Sequence, residues 1–375
     1  MVIFTVMKKI FFFFICVFAA LTISAQDFVY TEATELTITG KVFPDTPEPY
    51  QRMDFTKYDG WVENDIKLLR QSSGIIVSFK TDARAINMKA IVCGGWGINR
   101  GDRGFDLYIK KDGGWLWAGA AAVPKGNDEY KVCKLVTDLA PGEKECMVYF
   151  PNFSEIKSAQ VGVPEGSTLI PGEKPFKYDI VLYGSSFTHG ACASRAANTL
   201  PGFLSRMTGF QFNSLGVSGD CKMQPQFLNA LKDAKADAFF FDTFSNPSPS
   251  EIRERTFGFI EGIQATHPGV PLIFIRTIRR ENRNFNTARE KYEAEKMAVA
   301  DSIRKPLVKI LRKYGLRQLC SGRCPYDLPS EPVFRFFLKI QLLQHLQGAD
   351  VEGDFQVCGK IAQQRLRNGA PAGAV

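Results

Sequence analysis

The sequence predicts a two-domain protein in which an antiparallel β-sandwich precedes an α/β domain with a parallel sheet. In the first half, short stretches alternate apolar and polar residues between glycine-rich turns, which is typical of half-buried antiparallel strands. In the second half, apolar strands alternate with helical segments, which favours a parallel sheet covered on both faces. Residues 164–175, between the halves, are rich in Pro and Gly and predict a linker.

Length and composition suit a globular protein of this kind. The chain has 375 residues, of which 45% are hydrophobic and 23% charged, so collagen-like, coiled-coil and wholly disordered chains are excluded. The formal net charge is +8, but Lys and Arg are scattered along the chain instead of gathered in one stripe. We therefore expect no nucleic acid as a partner.

The first 25 residues have the pattern of a secretory signal peptide. Lys8 and Lys9 supply the positive start, an apolar run covers residues 10–21, and Ile23-Ser24-Ala25 resembles a signal-peptidase site. The run is shorter than the ~20 residues that span a bilayer, so we expect cleavage near Gln26. No later segment is long and apolar enough to cross a membrane. We expect an exported protein, periplasmic or extracellular.

Residues 26–170 are predicted to form the sandwich. Alternation is clearest where Ile75, Val77 and Phe79 share one face and Ser78 and Lys80 share the other. Similar alternating runs begin at residues 86 and 105, and a Gly-Gly turn precedes an aromatic run at residues 115–117.

The α/β domain is predicted over residues 177–316. Its strand candidates are residues 180–183, 238–241 and 271–275, and its helix candidates are residues 200–207, 248–265 and 288–315. Ser248, Pro249 and Glu251 form the signature of a capping box with Pro at the first helical position. We expect Pro306 to break or kink the last helix and Gly315 to end it.

The residues with chemical potential follow the strands of this second domain. Ser185 and Ser186 come directly after its first strand, at the end where α/β folds bind their ligands. Gly219 lies in the segment of residues 213–220, before the strand candidate at 238–241, and Asn246 comes just after that strand candidate. A nucleophile with a backbone donor and an amide donor suits acyl transfer, because the tetrahedral intermediate carries an oxyanion that needs preorganised donors.

These three segments resemble the first three blocks of the SGNH (GDSL-type) hydrolases. They are most similar to the branch in which Gly-Ser-Ser is followed by a Gly-Ala-Cys-Ala-Ser run, here residues 190–194. Residues 104–108 read Gly-Phe-Asp-Leu-Tyr and match the G-x-D-L-Y motif of that branch's N-terminal sandwich domain. The resemblance covers roughly residues 27–315, and it implies a flavodoxin-like three-layer hydrolase domain.

The resemblance implies a role for each matching residue. Ser186 corresponds to the nucleophile, and the amides of Ser186 and Gly219 with the side chain of Asn246 correspond to the oxyanion hole. The family hydrolyses esters without a cofactor or metal ion, and by analogy the substrate is a small ester or an acylated glycan. Cys320 and Cys324 lack a second pair at ligand spacing, so the residues themselves indicate no metal site.

The family's catalytic base is missing from its usual motif. SGNH hydrolases finish with an Asp-x-x-His block, whose His deprotonates the serine, and no Asp-x-x-His occurs in this chain. His189 lies too close in sequence to Ser186 to be expected as the base, and His267 is expected in a turn. His345 is the remaining candidate.

Residues 317–375 depart from the family pattern. They are rich in Gln and close with a Gly/Ala/Pro-rich segment where the His block is expected. We expect a reading-frame shift near residues 316–320, and the alternative is a divergent but genuine C-terminus. A serine triad without its His loses on the order of 10^6 in kcat, so the chain is expected to be a weak or inactive esterase.

Three functions are compatible with the sequence. The first is an exported ester hydrolase with Ser186 as nucleophile. The second is a catalytically inactive protein that binds a carbohydrate or acyl ligand in the same place. The third is an interaction role for the sandwich alone. No oligomeric state is indicated.

Overall fold

The computed structural model describes residues 27–94, 100–124, 129–275 and 280–313, with side chains as far as residue 303. The expected signal peptide, His345 and the atypical tail lie outside these residues. Within them, no helix combines the length and the apolar character that crossing a bilayer requires. The chain folds as predicted, as an antiparallel β domain followed by an α/β domain.

The N-terminal domain contains two antiparallel sheets. Its strands are β1 (Phe28–Glu32), β2 (Thr37–Thr39), β3 (Ile76–Thr81), β4 (Ile86–Cys93), β5 (Gly104–Lys111), β6 (Gly114–Ala122), β7 (Lys131–Val136), β8 (Lys144–Tyr149), β9 (Glu155–Pro164) and β10 (Leu169–Pro171). Helix α1 (Glu63–Leu69) lies between β2 and β3, and the short α2 (Arg100–Arg103) precedes β5. One sheet has the order β1-β9-β4-β7; the other has the order β10-β3-β8-β5-β6, with β2 also paired to β3.

The two sheets enclose the core of the sandwich. Alternation along β5 directs Phe105 and Leu107 into this core, so Asp106 and Tyr108 lie on the opposite face. The predicted linker is wrong in one part, because Leu169 to Pro171 form β10 and pair with β3. Leu169 packs against the sandwich core, and the Pro and Gly residues on either side limit the strand to its three residues.

The α/β domain is built on a parallel sheet of order β12-β11-β13-β14. Its elements are β11 (Lys177–Gly184), α3 (Ser186–His189), α4 (Leu200–Thr208), β12 (Phe210–Gly216), α5 (Pro225–Leu231), β13 (Ala238–Asp242), α6 (Pro249–Thr266), β14 (Leu272–Phe274) and α7 (Thr287–Lys313). Gly184 pairs in register with Gly216 on one side and with Asp242 on the other. Three neighbouring strands therefore end level with one another.

The start of α6 follows its sequence signal, one proline does not act as expected, and the predicted helix end at Gly315 lies outside the described residues. Ser248 Oγ accepts the main-chain N–H of Glu251 at 3.2 Å, and the Ser248 N–H donates to Glu251 Oε2 at 2.8 Å, which confirms the capping box of α6. Pro306 does not break α7, whose 27 residues run from Thr287 to Lys313. A proline removes only one main-chain donor from a helix.

The segment between β2 and β3 packs on both domains, since its Tyr50 lies in the sandwich core while other residues reach the α/β domain. We call residues 40–72 the crossing segment. Its Met53 and Leu69 belong to the same buried cluster as Tyr183 and Phe227 of the α/β domain. The two domains therefore share a hydrophobic core, although the sequence pattern predicts them as separate units.

Candidate active site

Ser186 lies on the first turn after the central strand of the parallel sheet. It is the first residue of α3, and it is partly exposed, whereas Ser185 before it is fully buried. Ser185 caps the helix, because its Oγ accepts the N–H of Phe187 at 3.3 Å. This sharp change from strand to helix leaves Ser186 at the carboxyl edge of the sheet, where the sequence predicts the nucleophile.

Asp242 fixes this turn from the neighbouring strand. Its buried Oδ2 accepts the Ser185 hydroxyl at 2.6 Å, the Ser185 N–H at 3.1 Å and the Thr188 hydroxyl at 3.1 Å. Burial raises the pKa of the Asp242 carboxyl, and the bonds from Ser185 and Thr188 oppose that rise. The sequence analysis did not predict this role. The signal that could have indicated it is an Asp at the end of β13, the strand that pairs with the strand before Ser186.

Gly219 lies in the loop that follows β12. Its φ of 80° is in the left-handed region, and no atom lies within 4 Å of the place where a Cβ would be. Glycine is therefore favoured here by the backbone conformation, since a side chain would have room. A Cβ at Gly216 would lie 2.3 Å from the main-chain N of His189. Glycine at position 216 thus lets the loop pack directly on α3. We call residues 216–220 the Gly219 loop.

The side-chain amide of Asn246 has a defined orientation. The main-chain N–H of Cys221 donates to its Oδ1 at 3.2 Å. Because a main-chain N–H only donates, the acceptor end of the amide faces Cys221 and the Nδ2 hydrogens are left for another acceptor. This is the orientation that an oxyanion donor requires.

Two basic side chains, one before α7 and one on it, donate hydrogen bonds to Ser245, the residue before Asn246. Lys296 Nζ donates to the carbonyl of Ser245 at 3.1 Å, and Arg280 Nη2 donates to the Ser245 hydroxyl at 3.0 Å. Arg280 also pairs with the buried carboxylate of Glu293 at 3.1 Å. Burial lowers the pKa of Lys296, and the Glu293 charge opposes this. Sequence reasoning missed this group, because its members lie 35 and 51 positions from Ser245.

The structure brings the three sequence-predicted residues to one edge of the sheet. Ser186 follows the central strand, while Gly219 and Asn246 follow the two strands that flank it. Neighbouring strands are about 4.8 Å apart, so residues that follow neighbouring strands ending at the same level lie close together. The arrangement supplies a hydroxyl together with main-chain and amide N–H donors.

His189 is a packed structural residue. It is fully buried, its ring stacks on Phe153 at 4.2 Å, its Nδ1 accepts the Ser218 N–H at 3.3 Å, and its Nε2 lies 2.9 Å from the carbonyl of Asn152. Burial and then the nearby Arg52 charge hold the pKa of His189 well below its usual range. A neutral ring with a proton on Nε2 satisfies both contacts and leaves no lone pair for Ser186.

His267 lies at the other end of the sheet. It caps the C-terminus of α6 and precedes β14, with Nε2 2.7 Å from the carbonyl of Ala234 and Nδ1 2.9 Å from the Thr266 hydroxyl. Both histidines of the described residues thus have their ring nitrogens engaged away from Ser186. His345 lies outside those residues.

Comparisons with known proteins cover both domains. The profile of the GDSL-like lipase/acylhydrolase family matches residues 177–316, and the profile of the GxDLY domain, the N-terminus of SGNH-hydrolase-type esterases, matches residues 28–169. A GDSL-like lipase from Bacteroides ovatus ATCC 8483 is 37% identical, over 77% of this chain and 85% of that chain, with a TM-score of 0.71.

The same fold occurs in a more distant structure. The salicylyl-acyltransferase SsfX3 from a tetracycline biosynthetic pathway is 21% identical, over 75% of this chain and 82% of that chain, with a TM-score of 0.56. No curated protein matches the chain. The likeness to the Bacteroides ovatus lipase and the two profile matches together show that the chain belongs to the GDSL-like lipase/acylhydrolase family, with a GxDLY N-terminal domain, and so to the hydrolases of ester bonds.

Proposed function

We propose that this protein is an exported esterase in which Ser186 is the nucleophile. Gly219, Asn246 and the amide of Ser186 are the proposed oxyanion donors. The observation that carries the proposal is the placement of these groups after three level, neighbouring strands, with the Asn246 amide turned by Cys221 so that its Nδ2 is available.

The proposed reaction proceeds through an acyl-enzyme. Ser186 Oγ forms a bond to the ester carbonyl carbon, and the carbonyl electron pair moves to the oxygen, which the three donors then stabilise. Collapse breaks the bond to the alcohol, which takes up the serine proton, and water hydrolyses the acyl-serine. Each oxyanion donor contributes about 3–4 kcal/mol to a transition state of this type.

We propose acylated carbohydrates as the substrate class, by analogy with the sandwich-bearing branch of the family. The described rim beside Gly219 is polar. Ser218 and Asp220 flank it in the loop, and Asn64 reaches it from the crossing segment, with Nδ2 2.9 Å from Asp220 Oδ2. Hydroxyl, amide and carboxylate groups suit a hydroxylated substrate better than a long acyl chain.

The proton acceptor determines how active the chain is. Neither His189 nor His267 has a ring nitrogen available to Ser186, and the sequence contains no Asp-x-x-His. We therefore expect slow turnover. This observation also favours the second candidate function, a protein that binds an acylated carbohydrate without hydrolysing it.

The first prediction concerns Ser186 itself. Ser186→Ala should abolish the residual hydrolysis of p-nitrophenyl acetate and of acetylated xylose by the purified chain, because it removes the attacking oxygen. Ser250→Ala, at an exposed serine on α6, is the matched control and should leave the rate unchanged.

Two other outcomes are informative. Equal residual hydrolysis by the wild type and Ser186→Ala would exclude Ser186 as the nucleophile. Calorimetric binding of acetylated xylose by both proteins, with no turnover by either, would establish the binding function instead.

A further inference from the structure

Arg52 is a fully buried cation in the crossing segment. Its guanidinium donates to three main-chain carbonyls: Nε to Gln71 at 2.8 Å, Nη1 to Gly216 at 2.9 Å and Nη2 to Leu68 at 2.6 Å. Nη2 also lies 3.5 Å from Nε2 of the His189 ring. Among the described residues no carboxylate pairs with it, and burial alone lowers its pKa to about 9. Burying an ion without a counter-charge costs several kcal/mol, whereas an apolar side chain would fill the same volume more cheaply.

The bond to Gly216 joins Arg52 to the Gly219 loop. Gly216 opens this loop, and the next residue, Val217, donates its N–H to Gly184 at 2.9 Å. Arg52 and β11, the strand before Ser186, therefore hold the same peptide from two directions. Gly216 itself has no side chain with which to fix its position.

The crossing segment also holds the other end of the loop. Asn64 on α1 donates to Asp220 at 2.9 Å, directly after Gly219. The loop residue with a left-handed backbone thus lies between two anchors that both come from the N-terminal domain. Three main-chain carbonyls bound by one rigid guanidinium fix the anchor at Gly216 more tightly than a single bond does.

We propose that Arg52 is a positioning residue, which holds the Gly219 loop so that the Gly219 N–H meets the oxyanion. The proposal rests on the proposed function, because it takes Gly219 as an oxyanion donor. The oxyanion exists only in the transition state and the tetrahedral intermediate. Loss of Arg52 should therefore lower kcat and leave KM nearly unchanged.

The test compares four variants of the full chain. Arg52→Met removes the donors at similar length, Arg52→Lys keeps the charge with a single donating group, and Asn64→Ala removes the exposed second anchor. Arg206→Met is the matched control, because Arg206 also joins the domains, with its guanidinium 4.6 Å from the ring of Tyr108 in the sandwich, and donates to a main-chain carbonyl, that of Ala197 at 3.0 Å, away from the Gly219 loop. Thermal unfolding establishes that each variant is folded.

Two readouts separate positioning from stability. The first is the division between kcat and KM for p-nitrophenyl acetate. The second is the equilibrium affinity for phenylboronic acid, whose boron bonds to the serine oxygen as the serine proton passes to solvent. The tetrahedral, negatively charged adduct directs an oxygen at the oxyanion donors, and its formation at equilibrium does not depend on a fast catalytic base.

We expect Arg52→Met to lose about 10-fold to 100-fold in kcat and in boronate affinity, as misplacement of a catalytic group by about 1 Å does. Arg52→Lys should recover part of this loss, Asn64→Ala should show a smaller loss in the same direction, and Arg206→Met should show none. If Arg52→Met does not fold, the results for Arg52→Lys and Asn64→Ala decide whether Arg52 positions the Gly219 loop.

The contrary outcomes are distinct. Unchanged boronate affinity and kcat in the folded Arg52 and Asn64 variants, with both readouts abolished by Ser186→Ala, would overturn the role of Arg52 alone. A wild-type chain that neither binds the boronate nor hydrolyses the ester through Ser186 would overturn the proposed function, and the role of Arg52 with it.

Discussion

Asp242 is a buried carboxylate that organises the turn around Ser186. A single oxygen accepts three donors from Ser185 and Thr188, so the turn that carries Ser186 is tied to the neighbouring strand. Only the ionised carboxylate accepts from both hydroxyls and the main-chain N–H without competition from its own proton. The geometry around Ser186 therefore depends on the ionisation of Asp242.

This dependence predicts opposite effects of pH on stability and on activity. Because burial raises the pKa of Asp242, the folded state keeps this proton to a higher pH than the unfolded chain does. The stabilisation from that proton is fully present below the ordinary aspartate pKa and is lost as the pH rises through the raised value. Hydrolysis or boronate binding should instead increase over the same rise in pH.

Asp242→Asn provides the comparison. The free energy of unfolding of the wild type, measured in urea relative to that of Asp242→Asn, should decrease as the pH rises through this window. The acid limb of the wild-type pH–rate profile should be absent from the variant. Identical acid limbs in the two proteins would show that Asp242 does not control the turn.

At the scale of elements, helix α6 is the clearest case of a local signal that the fold obeys. Ser248 and Glu251 exchange hydrogen bonds at its first turn, and Pro249 occupies the position where a missing N–H costs nothing. The helix packs Ile252, Phe259 and Ile263 against the shared core. Its start therefore fixes the loop that carries Asn246 two residues before Ser248.

This element carries its own stability prediction. Ser248→Ala should lower the free energy of unfolding by about 1 kcal/mol, because it leaves the Glu251 N–H without its partner. Urea unfolding measures the change. Ser250→Ala, two residues further along, removes a hydroxyl that lies 3.0 Å from Ser248 Oγ at the exposed surface but leaves the bond from the Glu251 N–H in place, so it should change stability by only a few tenths of a kcal/mol. An equal loss in both variants would mean that the cap is not the source.

Elements whose signals are local could be predicted from the sequence, and those that depend on distant pairing could not. The structure confirms the buried strands predicted at residues 180–183 and 238–241 and the capping box at Ser248. These features were predictable because hydrophobic period, strand length and capping residues are local properties of the sequence. Strand β10 was missed, since Leu169 and Ile170 lie among breakers and become a strand only by pairing with β3.

The candidate site divides in the same way. Ser186 and Asn246 follow strands that the sequence identifies, so their meeting at one edge could be predicted. Strand β12, which precedes Gly219, is not among the strand candidates, and Gly219 is indicated by the glycines around it and by the family resemblance. Arg52 could not be found, because it lies 164 positions from Gly216 and no pattern around it indicates a contact with the loop. Its role depends on how the crossing segment folds back.

At the scale of the whole molecule, Asp106 of the GxDLY motif joins the two domains. This buried carboxylate accepts the indole N–H of Trp117 at 2.9 Å within the sandwich, and the N–H of Ala197 at 3.1 Å across the interface. Arg195 Nε lies 3.4 Å from it. The motif therefore fixes the loop between α3 and α4.

Removal of this carboxylate should destabilise the protein strongly. Asp106→Ala leaves the buried Ala197 N–H without its acceptor and removes the partner of the Trp117 indole and of Arg195, and we expect the free energy of unfolding to fall by about 2–3 kcal/mol. Urea unfolding measures the loss, and Asp59→Ala, at an exposed aspartate, is the control and should change it by less than about 0.5 kcal/mol. A loss of less than about 1 kcal/mol for Asp106→Ala would show that the interface does not depend on this residue.

The crossing segment means that the chain cannot be divided where its sequence divides. A cut after β10 would give a fragment with every proposed reactive group and the whole parallel sheet, yet without Met53 and Leu69 of its core and without Arg52. A chimera that takes its sandwich from another member of the family must therefore bring residues 40–72 from the same parent as the α/β domain. In this protein, the unit that is inherited, exchanged or engineered is both domains together.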